Sequence, residues 1–554
     1  MHKNDQRRGR CLGLAVLALA CWGVAAAAGP GETTLPLTPG VGEAQPGPRF
    51  DVTGFTLRGS VPLLPGRVQA VLAPFVGPGA SLGRLHEAVA ALESALRAEG
   101  LGLYRVRLLP QVLQGEVLME IQPLRIGQVE VRGALFSGET EVRRALPALA
   151  LGTTPHLHHL AAQTALANDS PVRQLQVLLQ EGRSADAGDR VDVQIQVRDQ
   201  RPWRVSASFS NHGSPATGQD RFTLSGRHAD LGGQGADLQL AHTTSLEQPH
   251  SVKQFGAALR LPLYALGWQL SAQYTRSDMV GDFGGFTSTG AGHAAGLDCS
   301  MYLPLGGQIR HQVGLFMQDR LYESTRIDGQ LVPGQFDRRS RPVGLRYAGR
   351  REDGGAPAEA GAALRGDWQW GAEWLVNTGW GRGNDLFAYQ SEDPRIDRLR
   401  WQALRLSLAH ARTLAGWRLS MRTQGQLAST ALILGDQFGL GGLGSVRGTR
   451  EERPLAGDSG WQGSAELATP ALEGWQLAGF VDAGGIANRP ASEGRGGRDH
   501  LASAGLGLRW GRPGLNLVLD WGRIIRGSRM PQALLPSAPQ RGDERLYLAL
   551  TLGF

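Results

Sequence analysis

Period-two alternation of apolar and polar residues runs from Trp203 to Phe554 and constrains this chain more than any other feature. In the last segment Leu546, Leu548, Leu550, Leu552 and Phe554 share one face, while Tyr547, Ala549, Thr551 and Gly553 share the other. Leu515, Leu517, Leu519 and Trp521 stand likewise against Asn516, Asp520 and Gly522. Trp268, Leu270, Ala272 and Tyr274 stand against Gln269, Ser271, Gln273 and Thr275. Successive side chains of a strand point to opposite faces, so the pattern predicts strands with one apolar face. Between breaks rich in Gly, Asp and Pro there are 16 such segments, starting near residues 203, 220, 235, 253, 268, 288, 307, 338, 361, 401, 417, 460, 475, 500, 515 and 545.

An exported β-sandwich alternates in the same way. Sixteen strands in an open sheet would leave edges to manage, whereas a closed barrel has none, and bacterial barrels have even strand numbers. Beyond residue 28 no run of about 18 apolar residues occurs, so no membrane-spanning helix is expected. A barrel is the other structure that crosses a bilayer with every backbone group paired. Trp268, Trp401, Trp475, Trp510, Trp521 and Phe554 fall at strand ends, where the aromatic girdles of a membrane barrel lie.

The first 28 residues read as an export signal: Lys3, Arg7, Arg8 and Arg10, an apolar core from Leu12 to Val24, then Ala25 to Ala28. Lipidation at Cys21 is the rival reading, and Ala18-Leu19-Ala20 suits it poorly. Residues 29–48, with Pro30, Pro36, Pro39, Pro46 and Pro48, read as a linker. Cys11 and Cys21 lie in the signal, which leaves Cys299 and no intrachain disulfide. The formal charge of +7 raises the question of nucleic acid, but the basic residues are dispersed and no basic cluster carries interleaved aromatics. Nucleic acid is therefore not an expected partner.

Between linker and barrel the pattern is different. Phe55 to Ser60 reads as a strand ending in a Gly turn, and Leu85, Val89, Leu92 and Leu96 have the spacing of a core-facing helix that Gly100 stops. Strands follow at Tyr104 to Leu109 and Glu116 to Ile121. The pattern restarts at Val129-Glu130-Val131-Arg132-Gly133, and Arg132-Gly133 stands 74 residues after Arg58-Gly59. Helices are expected over Glu139 to Leu149 and Leu157 to Ala167, and strands over Val172 to Leu179 and Val191 to Val197. Two α+β modules, 50–124 and 125–200, thus precede an all-β, 16-stranded antiparallel transmembrane barrel at 203–554.

One segment fits none of these elements. A long polar, Gly-rich run from Gly439 to Trp461 carries Val446-Arg447-Gly448 at its tip, and the inward loop is expected over residues 435–460. A loop of this length is functional or disordered. It makes sense if it folds back into the barrel and Arg447 meets a carboxylate there. Asp482, in Phe480-Val481-Asp482-Ala483-Gly484, lies on a stretch whose alternate residues face such a cavity. In a wet lumen the pair would add about 1 kcal/mol and serve mainly as a geometric anchor. Glu466 also points to the lumen, either as a second partner of Arg447 or as a plain pore-lining charge.

With the paired modules, the Ser445-Val446-Arg447-Gly448 tip and Phe480-Val481-Asp482-Ala483-Gly484, the chain from about residue 50 onward resembles two-partner secretion transporters of the haemolysin-activator and filamentous-haemagglutinin-transporter type. The modules resemble POTRA domains. The resemblance implies an outer-membrane protein of a Gram-negative bacterium, with POTRA modules in the periplasm, that passes one large unfolded exoprotein of haemolysin or adhesin type to the cell surface. It implies an inward loop between strands 11 and 12 whose tip arginine pairs with the aspartate of the F-x-D-x-G strand, here Arg447 and Asp482. Partners would be the exoprotein, outer-membrane lipid and the barrel assembly machinery, with Phe554 as the C-terminal assembly signal and a monomer or weak dimer as the working form. The family's tip is usually followed by an aromatic, where this chain has Thr449, and the prolines of 29–48 argue against an N-terminal helix plug. The alternative function is a barrel assembly factor.

No enzyme, cofactor or metal site is expected. Gly439-Leu440-Gly441-Gly442-Leu443-Gly444 matches G-x-G-x-x-G but lacks the βαβ setting. Gly457-Asp458-Ser459-Gly460 resembles a serine nucleophile segment without a gathered His and Asp, and reads as a loop end. His156, His158 and His159 open a predicted helix and read as its solvated face.

Overall fold

The computed structural model describes residues 49–554 apart from 113–114, 182–188, 215–216, 279, 284–285, 290, 306–308, 325, 328–329, 352–365 and 490–496. The export signal and the linker, residues 29–48, lie outside the described residues.

In the first module Ser81 caps the helix Leu82–Ala98 by accepting from the Arg84 amide at 3.3 Å. Leu85, Ala88, Leu92, Ala95 and Leu96 bury one stripe of it. Gly100 ends the helix with a positive φ of 77°. Beneath it Gly54–Gly59 runs parallel to Glu116–Pro123, which pairs antiparallel with Tyr104–Leu108. The second unit repeats this: Arg125–Arg132 is parallel to Arg190–Asp199, which is antiparallel to Arg173–Glu181. The 74-residue repeat has a steric cause. Gly59 and Gly133 have φ of 85° and 82°, and a Cβ on either would stand 2.5 or 2.6 Å from the carbonyl oxygen of Ile121 or Val197.

The His156 group differs from expectation. Its rings pack on one another at 4.7 and 5.5 Å, and His156 and His158 fill the space a Cβ on Gly100 would occupy, while the Leu157 amide donates to the Gly100 carbonyl at 2.7 Å. Two of the three histidines therefore pack between the modules, because that helix begins against the turn of the first one.

Sixteen strands among the described residues close into an antiparallel barrel, numbered here β1 to β16. They are Trp203–Ser210, Arg221–Leu231, Ala236–Thr244, Gln254–Leu263, Trp268–Ser277, Gly292–Tyr302, Ile309–Tyr322 and Arg338–Ser340 continued by Pro342–Arg351. The second half comprises Asp367–Asn377, Gln402–Leu414, Trp417–Ala428, Ser459–Ala468, Trp475–Ala487, Arg498–Arg512, Leu515–Arg526 and Glu544–Gly553. β16 closes on β1 from Ala549 opposite Ser210 to Gly553 opposite Ser206. The starts near 288 and 361 are displaced: Phe286–Thr289 forms its own hairpin with Val280–Phe283, and β9 begins at Asp367.

Leu546, Leu552 and Phe554 are exposed on the outer face while Tyr547 is buried inside, as the alternation requires. Trp268, Trp475 and Trp521 are exposed, and Trp510 packs on Trp475. Trp401 is not a girdle residue. It is fully buried with Leu375, Tyr389 and Ile396 under the helix Leu386–Glu392, because the connection from β9 to β10 folds into a small core of its own.

Candidate functional site

The connection from β11 to β12 turns inward. It forms a short antiparallel hairpin, Phe438–Leu440 with Leu455–Gly457, whose tip carries Val446, Arg447 and Gly448. Glycines permit the docking. Gly441 and Gly442 have φ near 100°, and a Cβ on Gly484 would collide with the Leu440 side chain. Leu440, Val446 and Leu455 then bury themselves against Ile486, Leu501 and Ile524 of the wall. Full burial of each aliphatic side chain contributes about 1.5–3 kcal/mol.

Strand register assembles the receiving face. Ser464 of β12 lies opposite Asp482 of β13, which lies opposite Ser503 of β14. One pair further along, Glu466 is opposite Phe480, and Phe480 is opposite Gly505, which faces Gly522 of β15. Asp520 of β15 lies opposite Tyr547 of β16. These inward positions form one polar patch.

Arg447 occupies its centre. Nε and Nη2 donate to the two carboxylate oxygens of Asp482, each at 2.8 Å, and the Arg447 backbone amide adds a third bond to Asp482 at 3.1 Å. Nη1 donates to Glu466 at 3.0 Å and lies 3.6 Å from Asp520, while Nη2 also reaches Ser464 at 3.2 Å. The guanidinium carbon stands 3.3 Å from the Phe480 ring centroid, so the strand motif supplies the ring that the tip lacks at Thr449. Gly505 makes room for that ring, since a Cβ there would collide with it. Thr449 is itself buried: its hydroxyl accepts from the Gly442 amide and donates to the Glu451 carbonyl. Tyr547 accepts from the Gly448 amide at 3.0 Å and donates to the Thr449 carbonyl at 3.1 Å.

Sequence reasoning expected a solvated Arg447–Asp482 pair. Arg447 and Asp482 are 3% and 2% exposed, because the apolar hairpin and the Phe480 ring shut water out. A buried, fully hydrogen-bonded pair loses about 3–5 kcal/mol when one partner is removed. Val446, Arg447, Gly448, Glu466, Phe480 and Asp482 come together, Glu466 as a second carboxylate for Arg447. Gly484 stands behind the hairpin. Phe554 lies apart, exposed at the end of β16.

Ser464, Asp520, Arg509, Tyr547 and the two wall glycines were missed. Their signal was the inward phase of β12 and β14 to β16, which register carries and single-strand alternation does not. Arg509 ties Asp520 at 2.6 Å to Glu466 at 3.4 Å. A second anchor sits at the loop base, where buried Asp458 holds Arg395 at 3.2 Å and accepts from the Leu432 and Arg489 amides at 3.0 Å. Ser459 Oγ accepts from the Ala428 amide. The Gly457-Asp458-Ser459-Gly460 motif is thus a loop-end clamp.

The second module docks on the barrel rim. Tyr302 donates to the Asp169 carboxylate at 2.8 Å, Arg260 to the Asp169 carbonyl at 2.7 Å, and Arg173 to the Tyr264 hydroxyl at 3.1 Å. Tyr264 is buried in the core of that module.

Comparison with known proteins decides the family. The model for "Haemolysin secretion/activation protein ShlB/FhaC/HecB" matches residues 189–510, well over half of the chain, and "POTRA domain, ShlB-type" matches residues 50–123. The chain belongs to the two-partner secretion transporters. Among solved structures the transporter is similar to CdiB from Escherichia coli, at 17% identity and a TM-score of 0.73, covering 93% of each chain. It is also similar to CdiB from Acinetobacter baumannii, at 16% identity and 0.69, covering 92% of this chain and 91% of that one. These likenesses show the shared fold. A search of curated protein sequences finds no match. The transporter is an outer-membrane protein of the Gram-negative envelope, with POTRA structure on the periplasmic side, that serves secretion of a partner protein.

Proposed function

We propose that this transporter passes one large exoprotein of haemolysin or adhesin type, unfolded, through its barrel, and that the loop tipped by Arg447 is the positioned obstruction it must pass. The observation that carries this reading is the buried fork of Arg447 on Asp482, supported by Glu466 and stacked on Phe480. Such a constellation on a barrel wall performs no bond chemistry. It fixes a loop in one place by geometry and charge.

Capture would precede passage. Gly54–Gly59 and Tyr104–Leu108 are the two edges of the first module's sheet, and an extended chain adds to such an edge through main-chain hydrogen bonds. The drive outward is the passenger's own folding at the surface. Val446 and Gly448 place the arginine, Gly484 admits the hairpin, and Phe554 marks the last strand for the barrel assembly machinery. The working form is a monomer or weak dimer in outer-membrane lipid.

Deleting the protein and analysing the medium tests this. Loss of one large exoprotein is the expected result, and general loss of outer-membrane proteins would instead support assembly. The Arg447→Ala variant is expected to keep heat-modifiable gel mobility yet secrete poorly. Normal secretion by that variant overturns the role of Arg447.

A further inference from the structure

Charge is unevenly distributed around the lumen. Arg310 and Arg320 of β7, Arg346 and Arg350 of β8, Arg405 of β10 and Arg422 of β11 all line one cavity of about 1070 Å3. Glu373 is the one carboxylate lining that cavity among the described residues. Strand register explains the clustering. Arg346 lies opposite Glu373, Glu373 opposite Arg405, and Ala409, two residues on from Ser407 on the same inward face, opposite Arg422.

Glu373 and three carboxylates from outside the cavity lining offset part of this charge. Arg346 meets Glu373 at 2.7 Å and Asp298 at 3.0 Å, and Arg320 meets Asp436 at 2.7 Å. Asp169 of the second module lies within electrostatic reach of Arg310 and Arg350. Among the described residues the cavity lining thus carries six guanidinium groups and one carboxylate, with Asp298, Asp436 and Asp169 reaching them from outside it. Arg405 donates to a neutral partner, the Gln426 amide oxygen, at 2.8 Å, and Arg422 is exposed to the lumen. The wall from β12 to β15 is the reverse: Glu466, Asp482 and Asp520 stand against Arg447 and Arg509.

We propose that the β7–β11 wall is an anion-binding track that takes carboxylate-rich stretches of polypeptide in transit. Guanidinium forks match carboxylates in geometry and charge. The low-dielectric barrel wall concentrates their field in the cavity. Arg447, by covering the acidic wall, leaves the cationic wall as the accessible one. The inference deepens the secretion reading by naming the chemistry of the segments the lumen favours.

The test uses purified full-length transporter in detergent and fluorescein-labelled decaglutamate, read by anisotropy. Decaglutamate is expected to bind and decalysine not to bind. Raising salt from 0.1 to 1 M, which cuts the screening length from about 10 to about 3 Å, is expected to weaken binding. The double variant Arg405→Gln, Arg422→Gln is expected to bind at least about tenfold more weakly, since it removes two of the guanidinium groups that would meet the carboxylates. The Arg422→Lys variant is expected to retain most of the binding, and heat-modifiable mobility verifies that every variant is folded. Absence of decaglutamate binding, equal binding of decalysine, or an unaltered affinity in the folded double variant overturns the proposal. None of these readouts needs the cargo, so the proposal fails or stands separately from the deletion experiment.

Discussion

Gly448 of the loop tip and Gly522 of β15 meet backbone against backbone. A Cβ on Gly448 would lie 3.0 Å from the Gly522 carbonyl oxygen, and one on Gly522 would lie 3.0 Å from the carbonyl carbon of Arg447. Gly448 also has a positive φ of 105°. This approach sets how deeply Arg447 reaches the wall. Gly522→Val is expected to leave the barrel folded and to lift the tip. Trypsin cleavage at Arg447, which is buried in the native protein, should appear in the variant, and a loop as protected as the native one would refute the steric account.

Asp482→Asn should release the latch more thoroughly than any exposed substitution. It replaces the forked carboxylate by an amide that cannot accept both the Nε and Nη2 bonds and leaves Glu466 as the bonded carboxylate, at a cost of up to about 3 kcal/mol. Arg447→Lys should not rescue the wild-type latch, because an ammonium cannot occupy both Asp482 oxygens and Glu466 while stacking on Phe480. Export assays and the same proteolysis check both expectations. Equal export by the lysine variant would show that charge alone suffices.

Tyr302→Phe removes the hydroxyl that donates to Asp169 and leaves the ring in place. The docking of the second module should weaken by about 1–3 kcal/mol, with faster hydrogen exchange over Leu157–Asn168 and unaltered exchange in β12 to β15. Exchange unaltered at both places would show that Arg260 and Tyr264 hold the module without it.

Asp199 sets a pH dependence on the periplasmic side. Burial pushes its carboxyl up, but the amides of Leu135, Phe136 and Ser137, donating at 2.9, 3.0 and 2.7 Å, outweigh that and hold it below the usual carboxylate range. A depressed folded-state value means that the contribution is present above the unfolded value of about 3.9 and is lost as pH falls through the folded one. Protection of the 135–137 amides should therefore hold at pH 6 and weaken only below about pH 4, as pH falls through the folded value. Asp199→Asn should abolish that pH dependence; a weakening of the same size in the variant would assign it elsewhere.

Much of this was legible in residue order. Alternation located the strands within a few residues because an outward Leu and an inward Ser cannot exchange faces without breaking the apolar band. Arg447 and Asp482 stood out because a charged tip within a glycine-rich run needs a partner. The aromatic assignment failed at Trp401, since proximity to a strand end does not reveal that residues 377–401 fold into a core. Glu466 stayed open because its reach depends on where the tip lands.

Sequence by itself determined the repeating modules, the barrel and the identity of the latch, since each rests on a period, a spacing or a local conformational demand such as the positive φ of Gly59 and Gly133. Tertiary structure alone decided that the latch is dry, that Phe480 supplies its ring, and that Asp520, Gly522 and Tyr547 belong to it. Those facts depend on the register of five strands and the depth of a returning loop. Register is a relation between segments, and it comes into being only when the barrel closes.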